Sequence, residues 1–289
     1  MAVDTQNAKE LTQEQVLTTL LQPLTEQSKF LSAVPAANIH DSNGPLRIPR
    51  GFDPIDPDAL EWVAENGQIP EVTPDAGEAH LLPSTMRSVK VITRYSNEMA
   101  RQSIVSLDAA IQSRLIEDTL AKLDAQLLGT GGDGLTTPKG VGSWTVGETV
   151  AVDGALDLNA LLNAQLVASE ANVDPDALTL IVNPRDYMGL RSAVDNEGRY
   201  LLQPDPTRGG FIVGPLGMGL IVSPRVTQGT ATVVDMTKVH VARDLLSSVK
   251  VLTERYADYD QQAIRVVTRV DADLLYPEAA VRLTGLTAA

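Results

Sequence analysis

The stretch Leu178-Thr-Leu-Ile-Val-Asn-Pro-Arg-Asp-Tyr-Met-Gly-Leu190 changes character within two residues. From Leu178 to Val182 only Thr179 interrupts an apolar run. A short, nearly continuous run of this kind predicts a strand in a buried, central position. Asn183 then offers a side-chain oxygen to the free N–H groups of a helix start. Pro184 suits the first helical position, where no N–H is needed, and Asp186 brings negative charge to the positive end of the helix dipole. A buried strand running directly into a capped helix predicts an α/β layer around it.

The pattern extends to both sides. Asp157 is placed to cap a helix that carries Leu158, Leu161, Leu162, Leu166 and Val167. Leu220–Ser223, Thr232–Val234, Val239–Ala242 and Val249–Leu252 read as short strands, followed by Ala263–Val270 and Ala280–Leu283. Upstream, Val89, Val91 and Thr93 alternate against Ser88, Lys90 and Arg94, as a strand over 86–95 requires. A long helix follows over 106–128. Ser106 is its expected N-cap, Asp108 lies in its first turn, and Ile111, Ile116, Leu120, Leu123 and Leu127 form its apolar stripe, with Gly129 as the stop. At about 22 residues it should span roughly 33 Å.

The first 83 residues differ from the rest. Val16, Leu17, Leu20, Leu21 and Leu24 fall on one helical face, with Thr12 and Gln15 as a capping box and Pro23 as a kink or stop. Such an arm needs a surface to lie on, its own chain's or a neighbour's. Residues 36–83 are punctuated by Pro45, Pro49, Pro54, Pro57, Pro70, Pro74 and Pro83, with extended pieces at Leu46–Ile48 and Glu61–Glu65. This predicts a long hairpin-like excursion with little core of its own, a feature that is usually functional where it occurs.

Composition removes several chemistries. The formal net charge of −14 makes direct binding of duplex DNA a poor expectation, because that needs clustered Lys and Arg to displace phosphate counterions. An acidic wall still suits a container whose cargo must not stick to it. There is no cysteine, which removes disulfides, thiolate nucleophiles and Cys-ligated metals. No apolar run reaches the roughly 20 residues of a membrane span, and Met1–Leu20 has no secretory signal pattern, so no membrane partner is expected.

Motif by motif, no catalytic or cofactor site emerges. Gly129-Thr-Gly-Gly-Asp-Gly134 matches G-x-G-x-x-G in letters, but it follows a helix instead of a strand and so cannot aim a helix N-terminus at a pyrophosphate. It reads as a flexible, helix-terminating turn. His40, His80 and His240 lie far apart, none with a second histidine at helical spacing, so no metal is expected and they read as surface or loop residues. Asp53, Asp56 and Asp58 lack the glycine and distal glutamate of a calcium loop. Asp258 and Asp260, and Asp271 and Asp273, read as solvated edge charges. No Gly-x-Ser-x-Gly elbow is present. A soluble α/β hydrolytic enzyme using acidic residues stays open as an alternative from another class, because a carboxylate pair assembled by the fold is invisible in sequence.

The order of features resembles one family, the major capsid proteins of tailed bacteriophages with the Hong Kong-type capsid fold. Leu180-Ile-Val-Asn-Pro-Arg-Asp-Tyr-Met-Gly-Leu190 with Asp195-Asn-Glu-Gly-Arg-Tyr-Leu-Leu202 is similar to that family's strand, Asn-Pro helix and Gly-Arg-Tyr-Leu turn. Val89-Lys-Val-Ile-Thr-Arg-Tyr-Ser-Asn-Glu98 resembles the strand entering the long spine helix, and Leu123–Asp133 with Pro138-Lys-Gly140 resembles the end of the spine and its Gly-rich turn. Gly214–Gly217 with Ile221–Pro224, and Val270–Ala280, resemble the later links and closing strands.

The resemblance implies an α+β fold with an N-terminal arm at 1–35 and an extended E-loop at 36–83. It implies a peripheral domain at 84–150 and 267–289 holding the spine helix, and an axial α/β domain at 151–266. The implied function is structural: pentamers and hexamers closing an icosahedral head shell around double-stranded DNA, with no enzyme activity and no cofactor. The expected place is the virion, assembled in the host cytoplasm. Arg47, Arg50, Glu61 and Glu65 are the loop residues expected to pair with charges on neighbouring subunits. Some relatives weld subunits through an E-loop lysine, and residues 36–83 contain none, so no such cross-link is expected. A chain starting at Met1 leaves no room for a fused scaffold domain, so a separate scaffolding protein is expected, beside portal and decoration proteins. An encapsulin-like nanocompartment shell is the alternative within the same fold.

Overall fold

The computed structural model describes residues 2–3, 28–42, 44–52, 60, 62–73, 76–102, 107–194, 198, 200, 202 and 215–287. In chain order the strands and helices are β1 (Ala2–Val3), β2 (Ile39–Asp41), β3 (Leu46–Phe52), β4 (Ala76–Leu81), β5 (Val89–Ser96), α1 (Asn97–Gln102), α2 (Leu107–Leu127), β6 (Glu148–Gly154), α3 (Leu158–Glu170), β7 (Leu178–Val182), α4 (Pro184–Ser192), β8 (Gly219–Val222), β9 (Thr230–Asp235), β10 (Val239–Leu252), β11 (Gln261–Leu274) and β12 (Ala280–Leu286). The expected helix between Thr12 and Leu24 and the Ser106 cap lie outside the described residues.

Among the described residues, the strands form two five-stranded sheets and one two-stranded ribbon. The first sheet runs β1-β5-β11-β10-β2, the second β6-β12-β9-β7-β8, and the ribbon is β3-β4. Strand β7 lies inside the second sheet, parallel to β8 and antiparallel to β9, and Leu178, Leu180, Ile181 and Val182 are all buried. The helix signal is also met at atomic level. Asn183 Oδ1 accepts from the Arg185 N–H at 3.0 Å, while Asn183 Nδ2 donates to the Val226 carbonyl at 2.7 Å. Asp186, itself buried, accepts from the Gly229 N–H at 2.9 Å. The start of α4 therefore also fixes the turns that lead into β9. Asp157 caps α3 as expected, accepting from the Ala160 N–H at 2.8 Å.

Sheet membership departs from the division drawn from sequence. The segment Val239–Leu252, grouped with 151–266, pairs antiparallel with β11 in the first sheet, beside β5. Ala280–Leu286, grouped with the spine helix, pairs with β9 and β6 in the second sheet. The physical cause is pairing between strands distant in sequence, which no local pattern encodes. The two short strands expected at Val239–Ala242 and Val249–Leu252 are one strand, β10. Register shifts between Arg243 and Leu245, and between Leu245 and Ser248, break the alternation that would have joined them.

Among the described residues there are four apolar clusters, and three of them hold these layers. One lies where the sheets meet and joins Leu123, Leu127 and Leu128 at the end of α2 to Ile181, Val234, Val239, Val270 and Trp144. The second packs Leu161, Ala164 and Ala168 of α3 on Leu180, Val182, Val233 and Leu283. The third packs Leu107 and Leu115 of α2, with the half-buried Ile111, on Tyr95, Ile264 and Val266 of the first sheet. Ile116 and Leu120, expected in the stripe, are only half-buried. In α3, Leu162 and Leu166 face outward instead of into the layer. The helix α2 is 21 residues long.

The segment from Ser28 to Val34 packs on its own chain. Phe30 meets Trp144 edge-on with ring centroids 6.0 Å apart, and both are buried. The buried Asp124 of α2 accepts from the Ser28 hydroxyl at 2.5 Å and from the Lys29 N–H at 3.0 Å. A carboxylate taken out of water inside a helix needs such donors, and they tie the entering chain to the end of α2.

Candidate assembly surface

The excursion expected at 36–83 is a two-stranded ribbon with a long tip. In β3-β4, Leu46 pairs with Leu81, Ile48 with Ala79 and Phe52 with Ala76. Its root is fixed. Leu81, Leu82 and Met86 pack on Ala242, and the Leu82 N–H donates to Asp271 Oδ2 at 2.9 Å. The Tyr276 hydroxyl donates to the Arg50 carbonyl. Ahead of the ribbon, β2 runs parallel to β10, and Asp41 receives both Nε and Nη2 of Arg243 at 2.9 and 3.2 Å.

The same β2–β10 pairing creates a contact that the sequence did not reveal. His40 and His240, 200 positions apart, stack with planes 9° apart and centroids 5.4 Å apart, and Nε2 of His40 lies 3.1 Å from Nδ1 of His240. Burial, then the neighbouring His40 and Lys238, hold the His240 imidazole below its usual pKa. His80 meets Glu78 at 3.0 Å on the ribbon. Among the described residues no cluster of three or more His, Asp or Glu is placed to hold a metal ion.

Beyond the root, the described part of the tip, residues 60 and 62–73, meets little of its own chain. Residues 62–69 are exposed throughout, and the expected extended piece at Glu61–Glu65 has no strand in its described part. Instead, the Gly67 N–H donates to the Ala64 carbonyl at 2.9 Å in a turn where Asn66 adopts a left-handed conformation, with φ 63°. Trp62 is fully exposed, while Leu60 and Ile69 are 61% and 79% exposed.

The four residues expected to contact neighbours are distributed unevenly. Arg47 is exposed, with Nη1 3.8 Å from Glu78 Oε1 of its own chain, a loose surface pair. Arg50 is half-buried and lies across Gly77, its guanidinium where a Cβ on that glycine would sit. Glu65 is on the exposed turn, and Glu61 lies outside the described residues, as do Asp53, Asp56 and Asp58.

The Gly-rich turn after α2 is tight, not flexible as its composition suggested. Asp133 Oδ1 accepts from the N–H groups of Leu135, Thr136 and Thr137 at 3.0, 2.8 and 2.9 Å, and Oδ2 from the Thr136 hydroxyl at 2.8 Å. Those donors, the Thr137 N–H foremost, hold its carboxyl well below the usual carboxylate range. Gly140 and Gly142 return N–H bonds to the carbonyls of Gly131 and Gly129. A Cβ on Gly132, where φ is +103°, would sit 1.9 Å from the Pro138 carbonyl oxygen. Glycine is needed here for close approach of two backbones.

Between this turn, the ribbon and β11 lies a cleft of about 250 Å³ walled by Glu78, His80, Asp133, Lys139, Asp271 and Asp273. Asp271 is buried, not a solvated edge charge. Burial pushes it up to about 6, against the pull of the Leu82 and Ala272 N–H groups. Burial also raises Asp273.

Comparison with known proteins fits this architecture. Residues 10–285 match the model of the Phage capsid family. A search of curated proteins finds no match. Among solved structures, the capsid of a native GTA particle superposes with a TM-score of 0.71 at 15% identity, over 90% of this chain and 91% of that one. A structure from Mycobacterium phage Bobi gives 0.70 at 18% identity over 98% and 99%, and one from Microbacterium phage Oxtober96 gives 0.72 at 17% over 97% and 98%. Identities this low show the shared α+β fold, and the family model covers nearly the whole chain. The chain therefore belongs to the phage capsid family, as a major capsid subunit of the head shell.

Proposed function

We propose that copies of this chain form pentamers and hexamers, that these close into an icosahedral shell, and that the shell encloses double-stranded DNA. The first sheet with α2 serves as the peripheral part, and the second sheet with α3 and α4 as the axial part near the symmetry axes. The ribbon 46–81 is the E-loop. The observation that carries this reading is the contrast within that loop: a root bonded into the first sheet and a tip with almost no contact to its own chain. A rigid lever with an unburied end is what repeated contact between subunits requires, since such contacts bury thousands of Å² in obligate assemblies.

The work is structural, with no catalytic step. The net charge of −14 fits a wall that holds DNA without binding it tightly. Arg47, Arg50, Glu61 and Glu65 are assigned to contacts with neighbouring copies, alongside scaffolding, portal and decoration proteins as further partners. Assembly takes place in the host cytoplasm. No residue from 36 to 83 is a lysine, so the shell holds by non-covalent contacts at this loop. Expression followed by sedimentation and negative-stain microscopy tests the reading. Closed particles that dissolve on boiling in detergent to one band of 30.9 kDa are expected. A monodisperse monomer under all conditions, scaffold included, contradicts it.

A further inference from the structure

The tip of the ribbon combines two properties. It presents Trp62, Leu60 and Ile69 to solvent, and it is acidic: residues 60–73 contain Glu61, Glu65 and Glu71 and no lysine or arginine. Large exposed aromatic and aliphatic side chains grouped at one place mark contact surfaces, and tryptophan is prominent among residues that anchor them. A partner surface for this tip needs an apolar floor for the indole and a basic rim for the glutamates.

One cleft on the same chain has both. It opens beside α2 with a volume of about 170 Å³. Val89, Leu123 and Val270 give it apolar walls, and Arg87, Lys122 and Arg269 its only charged residues. Two other clefts carry the opposite charge. The one under the ribbon sets Glu78, Asp133, Asp271 and Asp273 against Lys139 and His80, and another, of about 560 Å³, sets Asp174, Asp235 and Glu278 against Lys238, so acids outnumber bases in both. An acidic tip is repelled from both.

We propose that Trp62, flanked by Leu60 and Ile69, docks in the Arg87–Lys122–Arg269 cleft of an adjacent copy, so that tip and cleft form the two halves of one head-to-tail contact. This rests on the shell reading and specifies which surface of the neighbour the loop grips. A head-to-tail contact between unlike patches repeats around a ring, as closed cyclic assemblies require.

The absence of cysteine makes the contact directly readable. The double variant Glu65→Cys with Lys122→Cys, assembled and oxidised, should run as a ladder of linked chains in non-reducing detergent gels. Each single variant should not. A second readout needs no substitution. The chain has two tryptophans, and Trp144 is already buried, so acrylamide quenching reports on Trp62. On assembly the quenchable fraction should fall from one tryptophan in two to none. Assembled particles that give no ladder and keep Trp62 as quenchable as in the free subunit overturn the proposed contact while leaving the shell reading intact. Failure of the unmodified chain to assemble at all removes the shell reading, and this contact with it.

Discussion

The strand β7 and the tip of the ribbon put similar side chains to opposite uses. In β7, Leu178, Leu180, Ile181 and Val182 are each 1% exposed or less, covered by α3 and by strands from three other parts of the chain. At the tip, Trp62, Leu60 and Ile69 lie in water. The first region is completed by its own chain, so its sequence carries everything needed to shape it. The second is built on a fixed root but is completed only by another molecule. In a shell subunit both kinds of apolar residue are required. One gives each copy a defined shape, and the other gives the copies a reason to associate.

Substitutions should separate the two. Leu180→Ala empties a fully buried site between α3 and the second sheet and should cost about 3 to 4 kcal/mol. For a chain of 289 residues that is roughly a 6 °C fall in the melting temperature of the unassembled subunit, measurable by calorimetry. A loss under about 1 kcal/mol would mean that the layer is not closed as described. Gly132→Ala comes next. Its Cβ meets the Pro138 carbonyl oxygen and its φ is left-handed, so about 2 to 3 kcal/mol should be lost. An unchanged melting temperature would restore the flexible-joint reading of this turn.

The third prediction concerns acid. The folded-state pKa of Asp271 is raised from 3.8 to about 6, so the folded chain holds a proton there that the unfolded chain has released. The stability from this protonation is complete below pH 3.8 and lost as pH rises through about 6, an effect of at most about 3 kcal/mol. His240 acts in the other direction. Its folded-state pKa is lowered, so stability is lost as pH falls below the ordinary imidazole value. Between pH 7 and 5 the two oppose each other. Asp271→Asn should therefore leave a subunit whose melting temperature falls more on acidification than that of the parent chain. Parallel pH profiles would remove Asp271 from the account. Smallest in effect on the subunit is Trp62→Ala, which should change its stability by less than about 0.5 kcal/mol because the side chain touches little of its own fold.

What could be read from the sequence follows the same division. The β7–α4 unit was legible because its signals are local: a cap at Asn183, a proline at 184, an apolar run before them. The length of α2 was legible for the same reason. What remained hidden depends on partners far along the chain. His40 and His240 meet only because β2 pairs with β10. Ala280–Leu286 shows a strand pattern but not which sheet it joins. The Gly-rich turn reads as flexible because glycine permits many conformations, while the carbonyls that restrict it come from Gly129 and Pro138, brought close by the fold. The exposure of Trp62 is likewise invisible, because a tryptophan in a Pro-rich stretch reads equally well as buried.

Hydrogen exchange on the free subunit and on the assembled particle separates the two regions in one experiment. The amides of β7 should be slow in both, and those of residues 62–69 fast in the subunit and protected in the particle. Equal, rapid exchange of 62–69 in both states would contradict the account, because the tip would then be completed by no neighbour.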